Sequence, residues 1–177
     1  YGISRFLLEM SDEKLIYRFW DNLVWCLDFT LSRKTMDGII ASDSDELENR
    51  FESGNANLFT SCIAYDALGN AAILADLVGE NAHKSLWLKE RAELKDNIEK
   101  YFGRNVQGFD TYRYYDGNVY LRSWICMPLT VEIFDRADET VKALFSPKLY
   151  YDGMMRSTSD HNTTWDRSLL FALRGTF

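Results

Sequence analysis

The sequence is poor in proline, cysteine and histidine, with 2, 3 and 2 residues of each. An average chain of this length carries roughly 9 prolines, so their scarcity favours long uninterrupted helices over a loop-rich β-sandwich. The cysteines are an odd number, lie far apart in the sequence and fall inside apolar stretches, at Cys26, Cys62 and Cys126. This pattern excludes a disulfide framework and a zinc site, and we expect buried thiols that behave as small hydrophobic groups.

Basic residues and long apolar runs are also lacking. The chain has 20 Lys and Arg against 27 Asp and Glu, a net charge of −7, and no basic run interleaved with aromatic residues. Such a surface repels a phosphate backbone, so we expect no nucleic acid partner. No apolar run approaches the ~20 residues of a membrane helix, and the opening YGISRFLLEM lacks signal-peptide features, so we expect a soluble chain with no membrane partner. The missing initial Met and the abrupt end at Phe177 predict a processed chain or a fragment of a longer one.

The sequence does contain a large apolar and aromatic fraction. Hydrophobic residues make up 46% and charged residues 27% of its 177 residues. This balance predicts one compact domain over residues 1–177. The 11 Phe, 10 Tyr and 5 Trp supply a large core, and they leave Tyr and Trp rings for surfaces that bind planar or ring-shaped ligands.

The spacing of apolar residues predicts helices that alternate between charged and apolar. The predicted elements are a charged amphipathic helix at 11–32, an apolar helix at 58–78, a charged helix at 84–102, a β-hairpin at 109–121 with its turn at 116–118, an apolar helix at 124–134 kinked at Pro128, a short charged helix at 138–145 and an apolar helix at 164–173. A helix that is apolar on most faces is buried. We therefore expect Ile73 to be much less exposed than Glu93.

This order of elements predicts three helical hairpins arranged in two layers, with the apolar helices inside and the charged helices outside. Each inner helix follows a polar and aromatic loop, at 35–57, 109–121 and 146–163. Because the inner helices run in the same direction, these loops should meet at one end of the layer. The 35–57 loop is also longer than ordinary helix connections, which is typical of a functional loop.

Three stretches of the sequence resemble a known family. They are MDGIIASDSDELENR before the apolar helix, NLFTSCIAYDALGNAAILADLVGE along it, and LWLKERAELKDNIEKYFG in the charged helix that follows. With the alternation of helices, they resemble the (α/α)6 toroid of six-hairpin glycosidases, and among those the bacterial α-L-rhamnosidase-like catalytic domains. The closing TTWDRS resembles the T-T-x-W-E-R stretch of that group, with one residue missing and Asp in place of the catalytic Glu.

The resemblance implies an all-α fold of the α/α-toroid type, or a three-hairpin part of one, with a small β-hairpin near 109–121. It implies a glycoside hydrolase that acts on a carbohydrate substrate with inversion of configuration. A glycan-degrading enzyme of this kind would be periplasmic or extracellular. Three hairpins out of six would also contact the remainder of a longer chain.

Asp166 is the first candidate for catalysis. Hydrolysis of a glycosidic bond requires one protonated and one ionised carboxyl group on opposite sides of the anomeric carbon. If Thr163 is the N-cap of the last helix, Asp166 occupies the Glu position of a capping box, and the helix N-terminus favours its ionised form. Asp166 is therefore either part of a cap or the catalytic base that the resemblance implies.

The acidic 35–57 loop supplies candidates for the general acid. Asp43, Asp45, Glu46 and Glu48 lie close together in the sequence, and repulsion between them raises the pKa of at least one, as a general acid requires. We rank Asp45 and Glu48 first, and the alternative is ordinary solvated loop charge. The spacing D-x-D-E-x-E lacks the Gly and terminal Glu of an EF-hand loop, so we expect no metal.

Sugar-binding side chains are expected in the same three loops and beside them. Planar Arg, Asn and Asp groups match paired hydroxyls, and aromatic faces cover the C–H side of a pyranose ring. The candidates are Arg50, Asn55, Arg113, Tyr115, Trp124, Asp160, His161, Trp165 and Arg167. For each residue alone, a salt bridge, a turn or a core contact is the alternative, and only the convergence of three loops supports binding.

Two other functions stay open. The first is a non-catalytic helical carbohydrate-binding or interaction domain, which the shortness of the chain favours. The second is a toroid sugar epimerase, which exchanges protons through two histidines, but His83 starts an outer helix at the end away from His161. The sequence contains no G-x-S-x-G, P-loop, G-x-G-x-x-G or H-E-x-x-H motif, so we expect no cofactor.

Overall fold

Helices dominate the computed structural model, which describes residues 1–45 and 50–177. The α-helices are α1 (Gly2–Met10), α2 (Glu13–Ser32), α3 (Leu58–Leu77), α4 (Asn81–Phe102), α5 (Met127–Thr130), α6 (Ala137–Leu144) and α7 (Asp166–Thr176). Two antiparallel pairs are formed by strands β1 (Gly103–Val106) with β2 (Phe109–Tyr112) and β3 (Tyr150–Tyr151) with β4 (Met154–Met155). The expected helical class is confirmed.

Helices α3 and α4 form the central antiparallel hairpin. Asn57 caps α3, because its side-chain oxygen accepts a hydrogen bond from the Thr60 backbone N–H at 2.9 Å. Gly79, with a φ of +78°, makes the turn into α4. Small side chains let neighbouring segments pack closely around α3, while α4 turns a narrower apolar stripe inward. The buried residues of that stripe are Trp87, Leu94, Ile98 and Phe102.

Helix α1 is an element that the apolar pattern did not predict. It ends at Ser11, which adopts a left-handed φ of +49°, and Asp12 then caps α2 by accepting from the Lys14 backbone N–H at 2.8 Å. Arg5 of α1 forms an ion pair of 3.0 Å with Asp66 of α3. The short helix thus packs on the central hairpin, and α2 begins two residues later than predicted.

Helix α3 is long and apolar enough to cross a membrane, with 20 residues and a mean hydropathy of 1.4. The expectation that no segment reaches this length was therefore wrong, because Asp66 is the only charge in its first four turns. In its most apolar window, 61% of the residues are buried inside the protein. A helix at the centre of a folded core meets the same criteria of length and composition.

The predicted β-hairpin is displaced toward the N-terminus. Strands β1 and β2 are joined by Gln107 and Gly108, both with positive φ, which is the backbone of a primed two-residue turn. The predicted turn exists, since the Asn118 N–H donates to the Tyr115 carbonyl at 3.1 Å. Its flanks do not pair with each other, because Tyr115 bridges to Asn57 of a distant loop instead.

The predicted apolar helix over 124–134 is much shorter in the structure. A 3₁₀ turn at Ser123–Cys126 leads into α5, where Pro128 lies in the first turn. Proline suits this position because its missing N–H would have no partner there, so Pro128 begins a helix instead of kinking one. The chain leaves the helix by Glu132, which has a φ of +65°.

The two-layer assignment is only partly right. The 3₁₀ turn at 123–126 is fully buried, and most of α3 is buried as expected. Ile73, however, is 54% exposed, while the side chain of Glu93 is 47% exposed. Only Ser168 and Ala172 are buried on α7, so the expectation that this helix lies inside was wrong. An apolar composition allowed burial on every face, but α3 and α7 have neighbours on only part of their circumference.

Candidate functional site

The three loops predicted to share one end do meet. Tyr114 donates its hydroxyl to a carboxylate oxygen of Asp45 at 2.7 Å, which joins the 109–121 loop to the 35–57 loop. The Arg122 Nη1 donates to the backbone carbonyl of Glu52 at 3.0 Å. The backbone of Arg122 also bridges to Thr158 in the 146–163 loop. These contacts confirm the predicted shared end, where α4 finishes and α3 begins.

A glycine allows the close packing of two of these loops. Gly54 has a φ of +68°, and a Cβ atom built on it would lie 2.7 Å from the Cβ of Tyr115. Both features disfavour any other residue at this position. Gly54 thus brings the 50–57 segment onto Tyr115, whose hydroxyl donates to Glu52 at 2.8 Å.

The loops enclose a cavity of about 280 Å³, which we call the loop cavity. Its lining residues are Arg50, Phe51, Glu52, Tyr115, Asn118, Tyr120, Arg122, Thr158, Asp160 and His161. Aromatic rings, carboxylates and guanidinium groups therefore face one space. Its volume is close to the lower limit of about 300 Å³ for small-molecule sites, so it has room for one small ring.

Arg122 is the most unusual residue of the loop cavity, because it is only 4% exposed. Its guanidinium packs against two aromatic rings, 5.1 Å from the centroid of Phe51 and 4.7 Å from that of Tyr114. Nη1 donates a hydrogen bond to the Glu52 carbonyl, but Nε and Nη2 are buried with no hydrogen-bond partner among the described residues. Burial lowers the pKa of Arg122 below its ordinary value, and the charges of Asp45 and Tyr114 oppose that shift.

Carboxylates near the cavity are held by hydroxyl groups. The Thr158 hydroxyl donates to one oxygen of Asp160, and the other oxygen lies 3.5 Å from Nε2 of His161. Glu52 accepts from Tyr115, and burial together with this bond raises the pKa of the tyrosine. The cavity can therefore offer both acceptors and donors to a polyhydroxylated ligand.

The catalytic candidates have different surroundings. Asp45 is bonded to the buried Tyr114 and does not line the cavity, whereas Asp166 is exposed at the first position of α7. The N-cap of α7 is Trp165, so the predicted capping box with Thr163 was wrong. The Thr163 carbonyl instead accepts from the Ser157 N–H at 2.8 Å.

Trp165 connects Asp166 to the cavity. The guanidinium of Arg50, which lines the cavity, lies 5.6 Å from the Trp165 ring centroid, and that of Arg167 lies 5.9 Å away. Arg50, Trp165 and Arg167 thus form one stacked group beside the loop cavity. Glu48, the remaining catalytic candidate, lies outside the described residues.

Four of the predicted binding residues line the loop cavity, namely Arg50, Tyr115, Asp160 and His161. Trp124 does not, because its side chain is 0% exposed and packs edge-on against Phe59 and Phe171. A tryptophan in an apolar run can be either a core residue or an aromatic ring that stacks on a sugar, and the sequence does not distinguish the two. Here it is a core residue, and the prediction that it binds substrate was wrong.

Arg113 and Asn55 also lie away from the loop cavity. Arg113 pairs with Asp116, donates to the Tyr101 carbonyl at 3.0 Å and stacks on the Tyr101 ring. It lines a separate polar cavity of about 570 Å³, which it shares with Lys100 of α4. Asn55 is exposed, and its backbone carbonyl accepts from Ser42. Alternation of side chains along the 113–115 segment explains why Arg113 and Tyr114 face different surroundings.

The residues of these loop contacts that the sequence pattern did not predict are Arg122, Phe51, Glu52 and Tyr114. One signal was available for Arg122, because it is the only charge between Gly117 and Glu132. A lone charge within an apolar run is buried only if the fold supplies partners for it. No comparable signal distinguishes Tyr114 from the tyrosines beside it.

No protein-family model matches this chain, and a search of curated proteins finds no match. Within residues 1–45 and 50–177, no group of three or more His, Cys, Asp or Glu side chains is placed to hold a metal ion.

Proposed function

We propose that this chain is a glycoside hydrolase domain of the α/α-toroid type, or part of one, which acts on a glycan by carboxylate acid and base catalysis with inversion. The observation that carries this proposal is the meeting of the three loops around the loop cavity. Tyr115 supplies an aromatic surface, while Arg50, Asp160 and His161 supply hydrogen-bonding groups for sugar hydroxyls. The resemblance of TTWDRS to a catalytic stretch supports the same reading.

In this proposal Asp166 is the general base. Its exposed carboxylate at the N-terminus of α7 would accept a proton from water as that water attacks the anomeric carbon. Asp45, or Glu48, would protonate the departing glycosidic oxygen. The base gains one proton, the acid loses one, and the products are a free sugar of inverted configuration and an alcohol.

A second candidate is a non-catalytic carbohydrate-binding domain. One observation favours it, because neither Asp45 nor Asp166 lines the loop cavity. The epimerase alternative has weaker support. His83 lies near the start of α4, 3.3 Å from Glu80, whereas His161 lies in the loop cavity near the other end of that helix.

The test is the substitution Asp166→Asn, assayed by release of sugar from a panel of aryl glycosides and glycans. Loss of a general base removes on the order of 10²–10⁴ in rate. The melting temperature should scarcely change, because Asp166 is exposed. Asp138→Asn is the matched control, since Asp138 is also an exposed acid in the first turn of a helix.

The outcomes separate the two candidates. Undiminished activity of Asp166→Asn would assign no catalytic role to this residue. Binding of saccharides without turnover of any panel member by the unmodified chain would favour the carbohydrate-binding domain. Equal losses in the Asp138 and Asp166 variants would point to a general effect on the helices and not to catalysis.

A further inference from the structure

The side chain of Arg122 has one free edge. Its guanidinium packs against the rings of Phe51 and Tyr114, and its Nη1 donates a hydrogen bond to the carbonyl of Glu52. The remaining donors, Nε–H and one N–H of Nη2, point in the same direction on one edge of the guanidinium plane. That edge is the fork that binds the two oxygens of a carboxylate.

The described residues do not supply an acceptor for this edge. Asp45 and Asp160 act on Arg122 through their charge, but neither is hydrogen-bonded to it. Asp45 accepts instead from Tyr114, and Asp160 accepts from Thr158. A buried guanidinium with two unused donors is costly unless an acceptor reaches it, and Arg122 lines the loop cavity from which a ligand would come.

We propose that Arg122 binds the carboxylate of an acidic sugar unit, so that the glycan recognised in the loop cavity contains a uronic acid. This inference rests on the proposed function, because it takes the occupant of the loop cavity to be a saccharide. Arg50 adds a second cation to the cavity wall, although the chain as a whole carries a net charge of −7. The aromatic and hydroxyl groups of the cavity bind the sugar ring, and Arg122 distinguishes an acidic sugar from a neutral one.

The experiment compares matched pairs of ligands that differ only at C6. Binding of methyl glucuronide and methyl glucoside, and of methyl galacturonide and methyl galactoside, is measured by calorimetry with the full chain. In at least one pair, the uronide should bind at least tenfold more tightly than the neutral sugar. Sodium acetate and sodium sulfate are titrated as anions that carry no sugar ring.

Two variants locate the effect. Arg122→Lys keeps the charge but removes the fork, so the tenfold preference for the uronide over the neutral sugar should disappear. Arg113→Lys is the matched control, because Arg113 also stacks on a tyrosine and donates to a backbone carbonyl, but in the separate polar cavity. It should keep the preference. Thermal melting shows whether each variant is folded, and the comparison of ligands on the unmodified chain needs no variant at all.

Equal affinity for the uronide and the neutral sugar in both pairs would overturn this inference but not the proposed function. Turnover of neutral glycans without binding of any uronide would have the same consequence. Binding of acetate or sulfate as tight as that of the uronide would overturn it in favour of a general anion site. Persistence of the uronide preference in folded Arg122→Lys would also overturn it. Absence of binding to every saccharide would overturn both proposals.

Discussion

At the scale of single residues, a few buried polar groups hold the loops in place. Tyr114 is fully buried, and its hydroxyl reaches across 69 positions of the chain to Asp45. Asn57 is also buried, and its amide donates to the Ser44 carbonyl at 3.0 Å. Each of these bonds replaces water at a buried polar group, and each connects segments that have no regular secondary structure in common.

The substitution Tyr114→Phe should lower the free energy of unfolding by about 2 kcal/mol. It removes the hydrogen bond from the buried Tyr114 hydroxyl to the Asp45 carboxyl group and keeps the shape of the ring. Urea denaturation measures the change. Tyr17→Phe is the control, because Tyr17 is 62% exposed on α2, and this variant should stay within about 0.5 kcal/mol of the parent. Equal effects of the two substitutions would contradict the role assigned to Tyr114.

The three thiols also differ at this scale. They form no disulfide, and Cys62 and Cys126 are buried as predicted, whereas Cys26 is half-buried. Burial on α3 raises the pKa of the Cys62 thiol well above its ordinary value. A raised pKa means that the folded state keeps its proton while the unfolded state loses one. The resulting stability is complete below the unfolded pKa and is lost as the pH rises above it.

The free energy of unfolding should therefore fall at alkaline pH. Because the thiol ionises only in the unfolded state over this range, the Cys62 contribution to this loss is on the order of 1 kcal/mol between pH 7 and pH 10. The free energy of unfolding of Cys62→Ala, measured by urea denaturation at both pH values, should fall by this amount less than that of the unmodified chain. Burial also raises the pKa of Tyr112. Tyr112 therefore contributes to the pH-dependent loss of stability that remains in the Cys62→Ala variant.

Leu68→Ala is the control for the pH experiment, because Leu68 is a buried residue of the same helix that does not titrate. This variant should be less stable at both pH values and should keep the full difference between them. A Cys62→Ala variant with the same difference as Leu68→Ala would show that the thiol does not contribute.

At the scale of elements, turns and caps decide where helices and strands begin and end. Ser11 and Gly79 end two helices with positive φ, and Asp12 and Asn57 cap the helices that follow them. These signals are local, so they can be recognised in a sequence. The turn between β1 and β2 is harder to recognise, because glutamine is an unusual first residue of a primed turn.

The substitution Gln107→Asn should stabilise the protein by about 0.5–1 kcal/mol. Gln107 has a φ of +51°, and asparagine adopts this conformation more readily than glutamine. Gly108→Ala, at a φ of +99°, should have the opposite sign, and no atom lies within 4 Å of the added Cβ, so the effect reports the backbone alone. Thermal and urea unfolding measure both variants. A loss of stability in Gln107→Asn would contradict the assigned turn.

At the scale of the whole molecule, one side of a helix is buried and the other side of the same helix is exposed to solvent. Leu74 is 0% exposed on α3, while its neighbour Ile73 is 54% exposed, because the two side chains leave the helix about 100° apart. The hairpin partner and α1 cover one side of α3, and solvent reaches the other. A uniformly apolar sequence gives no sign of this division.

The pair Ile73→Ser and Leu74→Ala tests this division. Leu74→Ala should lower the free energy of unfolding by about 2–5 kcal/mol, as large-to-small core substitutions do. Ile73→Ser should change it by about 0.5 kcal/mol or less, as surface substitutions do. Urea denaturation of both variants is the measurement. Comparable losses would show that Ile73 is covered in solution.

Several features of this protein could be predicted from local patterns. The periodicity of apolar residues located α2, α3, α4 and α6 within a few residues, because helix formation and burial of one face both act over three or four positions. The meeting of three loops was also predicted, from the order of the helices that they precede. Arg50, Tyr115, Asp160 and His161 were found in this way.

The sequence by itself determined the helical class, the main helices and the end of the molecule at which the loops gather. Only the tertiary structure decided which side chains face the loop cavity, why Trp124 and Arg113 do not, and that Arg122 is buried there. The physical reason is the range of the interactions. Helices follow short-range periodicity, whereas loop side chains take their positions from partners tens of residues away, as Arg122 does from Glu52.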